Sequence, residues 1–303
     1  MITRRLMLAS SAAAFSLAVL PQRLWAGTTL TLGSAQVDTL SDGTLVLPGD
    51  FILGGMPQAE MQAIVTKYGL PTDQLTPPCN LTLLRDGTHT VLFDVGSGPD
   101  FMPSAGKILE AFDALGLSVE EVTHVLITHA HPDHIWGLLD EFDEPLFPNA
   151  EYMMGQAEFD YWMDPATVDS IGEERTTFAV GARRRLEAVA DTIRLLADGE
   201  EALPGITARL TPGHTPGHMA YELSFGEAKA MVVGDALGNH HVAFERPEWP
   251  SGSDQDKDLA AATRQTLLDR LATEGMTLIG FHLPGGGIGR AERAEAGYRF
   301  VEA

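Results

Sequence analysis

A chain of 303 residues with 44% hydrophobic content is long enough to bury a full core, as one large domain or two smaller ones. Its formal net charge of -22 argues against nucleic acid as a partner, because like charges repel, and suits small molecules that are neutral and partly hydrophobic. The single cysteine, Cys79, excludes an intrachain disulfide.

The N-terminus, MITRRLMLASSAAAFSLAVLPQRLWAG, has signal-peptide grammar. Arg4 and Arg5 form a basic start, Leu6 to Leu20 are uncharged, and Ala26 sits at a plausible cut. That run is shorter than the roughly 20 residues that span a bilayer. The paired arginines before Leu-Met-Leu resemble a twin-arginine signal, which exports folded proteins; an ordinary secretory signal or an uncleaved anchor are the alternatives. The expectation is a signal peptide over 1–26, a single domain over 27–303, a periplasmic or secreted location, and no stable membrane insertion after processing.

Ala35–Leu40 and Thr44–Leu47 flank Ser-Asp-Gly, a hairpin signal. Residues 48–78 are rich in Pro, Gly and Met, with a short helical piece around Gln58–Lys67. Leu81–Leu84 and Thr90–Phe93 flank Arg-Asp-Gly-Thr-His, a second hairpin with Asp86-Gly87 at its tip. Apolar spacing predicts a helix over Ile108–Leu115, ended by Gly116. Val122–Ile127 is an apolar strand, and residues 156–190 read as helical, with Tyr161, Trp162 and Phe178 among the charges. Met219–Leu223 and Lys229–Val233 make a third hairpin, Lys257–Ala272 a helix, and Met276–Ile279 a buried strand. Hairpins with interspersed helices predict two mixed sheets packed face to face with helices outside; residues 48–78 and 156–190 read as insertions able to cover a site.

The apolar strand delivers the chain to Thr-His-Ala-His-Pro-Asp-His, residues 128–134. Alternation in an extended segment puts His129, His131 and Asp133 on one side and turns His134 away. Four such side chains buried without coordination would leave many polar atoms unpartnered. Imidazole nitrogen and carboxylate oxygen suit zinc, manganese, cobalt or ferrous iron, and ligands facing two ways suggest two ions. Further candidates each follow an apolar run: His214 and His218 in Thr-Pro-Gly-His-Thr-Pro-Gly-His, Asp235 in Val-Val-Gly-Asp, and His282 in Gly-Phe-His. Such positions gather on one rim of a sheet, where sites are built.

H-x-H-x-D-H, then TPGH, GD and a late GFH resemble the metallo-β-lactamase superfamily from about residue 30 to the C-terminus. The resemblance implies an αββα sandwich, of α/β (α+β) class, with a binuclear site at one edge. It implies that His129, His131 and His214 hold a first ion, that Asp133, His134 and His282 hold a second, and that Asp235 bridges both. The cofactor is then two divalent ions, most readily Zn2+ (Mn, Co or Fe as alternatives), and His218 is a supporting residue.

The implied chemistry is hydrolysis by a metal-bridging hydroxide on a lactone, ester or phosphotriester, with Asp133 and Asp235 as the catalytic carboxylates. TPGHTPGHM, the long segment after Asp235 and GFHLPGGGIGR are similar to the methyl parathion hydrolase and quorum-quenching lactonase branch. Alternatives left open are a β-lactamase or thioester hydrolase of the same fold, a mononuclear iron oxygenase like the persulfide dioxygenases, and a non-catalytic metal-binding protein. A homodimer is also open.

Other residues are read more locally. Asp94, in Val-Leu-Phe-Asp-Val-Gly, suits a carboxylate that fixes a ligand imidazole. Cys79, far from the motifs in sequence, reads as a small core residue, His124 as structural, and Gly285–Gly287 as a return turn. His240 and His241 are candidates to line a pocket, with Phe51, Met56, Trp136, Phe147 and Phe244 as apolar walls.

Overall fold

The computed structural model describes residues 26–303. The expected signal peptide therefore lies outside the described residues, apart from Ala26, which opens the first strand. Among the described residues, no helix is long and apolar enough to cross a membrane.

From Ala26 the chain lays down β1 (Ala26–Leu32), β2 (Ala35–Thr44), a minor pair β3 (Leu47–Pro48) and β4 (Gln74–Leu75), then β5 (Pro78–Arg85), β6 (Thr90–Phe93), β7 (His124–Ile127), β8 (Glu151–Gly155) and β9 (Arg194–Leu196). Without the minor pair these form one seven-stranded sheet in the order β1-β2-β5-β6-β7-β8-β9, antiparallel up to β6 and parallel from there. The second sheet also has seven strands, in chain order: β10 (Glu201–Leu203), β11 (Ile206–Leu210), β12 (Met219–Phe225), β13 (Ala228–Gly234), β14 (Thr277–Gly280), β15 (Ile288–Arg293) and β16 (Tyr298–Glu302). Only β13 and β14 are parallel in it.

Strand alternation makes the layers. Val91 and Phe93 of β6 and Leu126 of β7 face Tyr221, Val232 and Ile279 across the middle of the sandwich. Leu92, Val125 and Ile127 point the other way, onto α3 (Ile108–Leu115) and α7 (Thr176–Val189). On the far face, α9 (Lys257–Glu274) packs Leu267, Leu268 and Leu271 against Met231, Val233 and Leu278. Asp256 caps α9 by accepting from the Leu259 N–H at 3.0 Å, and Gly275 ends it at φ +61°. The result is the expected pair of mixed sheets between helical layers.

Two stretches flank this core. Residues 48–78 supply α1 (Gly49–Leu53) and α2 (Gln58–Lys67), which bury Ile52, Leu53, Ile64 and Val65 with Val242. Residues 156–190 supply α5 (Gln156–Met163), α6 (Thr167–Ser170) and α7.

The Ser41-Asp42-Gly43 hairpin does not form. β2 runs unbroken through it, with an irregular register against β5, and turns back to β1 at Gly33-Ser34 instead. The cause is the Asp42 carboxylate, which is buried and accepts from the backbone N–H groups of Ser97, Gly106 and Ile108 at 2.8, 3.1 and 2.9 Å. That pins the residue inward at the start of α3, where a hairpin tip would be solvated.

Candidate metal centre

β6 and β7 are parallel in one sheet, β13 and β14 in the other, and their C-terminal ends meet at one edge of the sandwich. Loops beyond such ends are the usual place for a site in sheets of this kind. Asp94 follows β6, the 128–134 stretch follows β7, Asp235 follows β13, and His282 lies beyond β14. His214 comes from the turn between β11 and β12. All seven candidate ligands are at most 7% exposed.

Pro132 decides how the crowded stretch divides. It opens α4 (Pro132–Ile135), so the chain is extended through His131, at ψ 158°, and helical from there. His129 and His131 therefore stay together, while Asp133 leaves them and joins His134. The expectation that His129, His131 and Asp133 share one side is corrected, because the alternation ends at the helical turn.

Two groups of donor atoms result. His129 Nε2 lies 3.1 Å from His131 Nδ1, which lies 2.9 Å from His214 Nε2. The His282 Nε2 atom is 3.2 Å from Asp133 Oδ2 and 3.3 Å from Asp235 Oδ2; His134 Nε2 is 3.5 Å from Asp133 Oδ2 and 3.2 Å from Asp235 Oδ1. Asp235 Oδ2 also lies 3.4 Å from His214 Nε2, so this carboxylate stands between the two groups.

These atoms fit cations. Asp133 Oδ2, His134 Nε2 and Asp235 Oδ1 are enclosed, face one another at 3.2–3.5 Å, and make no well-aligned hydrogen bond among the described residues. Enclosed polar atoms in that state are costly unless something binds them. Nitrogen and carboxylate donors at these spacings are the chemistry of zinc and its neighbours. Cys79 also comes close: its sulfur, Asp133 and His282 offer donor atoms within 4.8 Å of one another. It is the expected buried core residue, and the fold brings it against the site.

Behind the donors, a second set of groups aims the rings. His134 Nδ1 meets Asp94 Oδ2 at 2.8 Å, and Asp94, itself at φ +61°, also accepts from the Thr128 N–H and hydroxyl. The Asp254 carboxylate lies 3.0 Å from His214 Nδ1 and is held by Arg264 at 3.4 Å. His282 donates from Nδ1 to the Pro78 carbonyl at 2.8 Å. His218 accepts at Nε2 from the Asp235 N–H at 3.0 Å, which fixes the backbone of the central carboxylate.

Glu158, fully buried on α5, ties two donor-bearing loops together. Oε1 accepts from the Ala130 N–H and Trp162 Nε1; Oε2 accepts from the Thr215 hydroxyl and Gly217 N–H. Four groups able to donate surround this side chain, and they oppose the burial that pushes its pKa up. Glu158→Gln replaces one acceptor oxygen with a donor. We expect it to cost roughly 2–4 kcal/mol in denaturant unfolding of the metal-free protein and to weaken metal retention against a chelator. Wild-type stability and retention would contradict this role.

Burial and mutual repulsion hold His129 and His131 well below the usual imidazole range. Burial works the same way on His134 and His282, but the surrounding carboxylates overcome it: Asp133, Asp235 and Asp94 push His134 up to about 10, and Asp235 and Asp133 push His282 well up. Against burial, the same imidazoles hold Asp235 well below the carboxylate range. Near neutrality the metal-free chain thus keeps protons on His134 and His282, where ligands must be unprotonated. Metal uptake at pH 7 is expected to release about two protons per chain and to weaken as pH falls. Calorimetry in buffers of different ionisation enthalpy measures this; uptake without proton release would contradict it.

The donors open into a cavity of about 320 Å³. Phe51, Met56, His240 and His241 line it, along with Phe178. Trp136 does not: its ring is covered by Arg185, 4.6 Å from the ring centroid, and abuts Gly181 on the outer helical face. Phe147 and Phe244 are fully buried core. His124 is half-buried beside His89, and Gly285–Gly287 turn back onto β15, all three with positive φ. Asp254, Glu158 and Arg175, a further cavity residue, sit in no recognisable motif, and no sequence signal singles them out.

A family model described as Metallo-beta-lactamase superfamily matches residues 76–282. Among curated proteins, YobT of Bacillus subtilis, described as uncharacterized, is 27% identical over 200 residues, spanning 64% of this chain and 79% of its own. A hydroxyacylglutathione hydrolase of Methylococcus capsulatus is 30% identical over 163 residues, spanning 52% of this chain and 50% of its own. Among solved structures, the dizinc quorum-quenching lactonase AidC superposes with a TM-score of 0.86 at 24% identity, covering 92% of this chain and 98% of that one. The hydrolase AbOPH of the beta lactamase superfamily does so with 0.84 at 28% identity, covering 92% and 97%.

Proposed function

This chain belongs to the metallo-beta-lactamase superfamily, and from that premise we propose that it is a binuclear hydrolase of lactones, aryl esters or phosphotriesters. One observation carries the reading: seven buried side chains from separate loops converge their donor atoms at one strand edge, three of those atoms enclosed without a well-aligned hydrogen bond among the described residues. Asp235, standing between the two donor groups, favours two ions over the single ion of the mononuclear oxygenase reading.

His129, His131 and His214 would hold one divalent ion, Asp133, His134 and His282 the other, and Asp235 both. When bound, such a pair supplies Lewis acidity, polarising the substrate's oxygen and acidifying water near neutrality. The chain's own part is to fix geometry and handle protons. Asp94 and Asp254 hold the His134 and His214 rings in one tautomer. Asp133 is placed to orient the attacking water or to pass its proton to the leaving group. The apolar wall of Phe51, Met56 and Phe178 excludes bulk water and accepts an acyl chain or aryl group.

The lactonase AidC supports the lactone arm, and the hydroxyacylglutathione hydrolase match supports a thioester as the second reading. Metal-quantified protein assayed on acyl lactones, aryl esters, phosphotriesters, β-lactams and hydroxyacyl thioesters tests both. Turnover of at least one class, lost on chelation and restored by metal, is expected; no turnover of any class by protein carrying two ions would sink the reading. Zinc is the proposed metal. The N-terminal sequence supports export, so the proposed place of action is the periplasm or the exterior, tested by fractionating cells that express the full chain.

A further inference from the structure

Among the described residues, three arginines are buried: Arg175, Arg185 and Arg264. Arg185 has Asp100 at 3.7 Å and Arg264 has Asp254 at 3.4 Å. Among the described residues Arg175 has no carboxylate within 4.0 Å, and Glu174 and Asp254 act on it only from beyond that distance, although acidic residues outnumber basic ones 42 to 20 in this chain. Its one hydrogen bond among the described residues runs from a terminal nitrogen to the Gly252 carbonyl at 2.6 Å, and its guanidinium lies 5.9 Å from the centroid of the Phe51 ring. A guanidinium carries five N–H donors in a rigid fork, so most of this one's capacity is unspent.

The position gives that capacity a direction. Arg175 lines the same cavity as the donor cluster. One turn along, Phe178 packs edge-on against the His131 ring at 5.8 Å, which puts Arg175 on the His131 side of the opening. Burying an unpaired charge is costly, and a planar carboxylate is the partner that a guanidinium fork matches best.

Building on the hydrolase reading, we propose that Arg175 recognises a carboxylate carried by the substrate away from the scissile bond, so that the preferred substrates are anionic, amphiphilic esters or lactones. This departs from the neutral substrate that net charge alone suggests: the surface field is acidic, but the pocket presents a local, unpaired cation. Phe51 and Phe178 take the apolar body while Arg175 takes the charged end.

The test compares mono-4-nitrophenyl glutarate, which has a free carboxylate, with its neutral methyl diester. In each, water adds across the acyl–oxygen bond, giving a carboxylic acid and 4-nitrophenol, which is read by absorbance. The readout is the ratio of kcat/KM for the two esters within each protein, so a general loss of activity cancels. Wild type is expected to favour the anionic ester; R175M should lower that ratio at least tenfold, mainly through KM, and R175K should restore part of it. Equal ratios in wild type and R175M, or a wild-type preference for the neutral ester, would overturn the assignment while leaving the hydrolase reading in place. Monomethyl glutarate binding, measured by calorimetry on metal-free wild type and R175M, decides the same point without turnover. Tighter binding to wild type supports Arg175 even if neither ester is hydrolysed, and equal binding overturns it.

Discussion

Asp235→Asn should leave a folded protein that holds one ion firmly instead of two and turns over at least roughly a thousandfold more slowly. Its two carboxylate oxygens face different partners, Oδ1 towards His134 and Oδ2 towards His214 and His282. An amide keeps one oxygen and turns N–H donors to the other side, where a lone pair is needed. It also removes the charge that helps hold His134 and His282 protonated in the metal-free chain. Because Asn matches Asp in volume and the Asp235 N–H keeps its bond to His218, the fold should tolerate the change. Circular dichroism, metal analysis and kcat on one preparation check the three parts; two firmly held ions with wild-type kcat would contradict the placement of Asp235 between the groups.

Replacing His131 with alanine is expected to be as severe, by a different route. Its Nδ1 atom is the middle of the nitrogen triplet, 3.1 Å from His129 and 2.9 Å from His214. Without it two nitrogens and the shared Asp235 carboxylate remain, which weakens that seat. The ring also packs against Trp162 and Phe178 at 5.9 and 5.8 Å, so truncation leaves a void open to the cavity. Metal content should fall by about one ion per chain, with hydrolysis near background. Added imidazole, small enough for the void, should recover a measurable fraction of the rate. A variant with unchanged metal content and hydrolysis would refute the first seat.

The ligand candidates were legible in the sequence because each ends or follows an apolar run, and parallel strands carry such ends to one edge. The end of α3 was legible because Gly116 marks it, whereas α9 starts at the expected Lys257 and runs past the expected Ala272 to Glu274. Asp42 misled because its side chain is used for tertiary hydrogen bonds, which turn propensity cannot register. The split of the 128–134 stretch hinges on where alternation gives way to helix, and Pro132 marks that point. Asp254, Glu158 and Arg175 had no signal, since they reach the site from loops and helices packed by the tertiary fold. The aromatic wall was half legible: closeness in sequence to a motif does not distinguish Phe51, on the cavity, from Phe244, in the core.

Titrating zinc into protein stripped by a chelator, while following bound metal and hydrolysis together, is the most direct test of a paired-cation site. The arrangement of His129, His131, His214, Asp133, His134, His282 and Asp235 predicts uptake that stops at about two ions per chain, with hydrolysis rising as the second is bound. Full hydrolysis by the stripped protein, or uptake complete at a single ion, would contradict it.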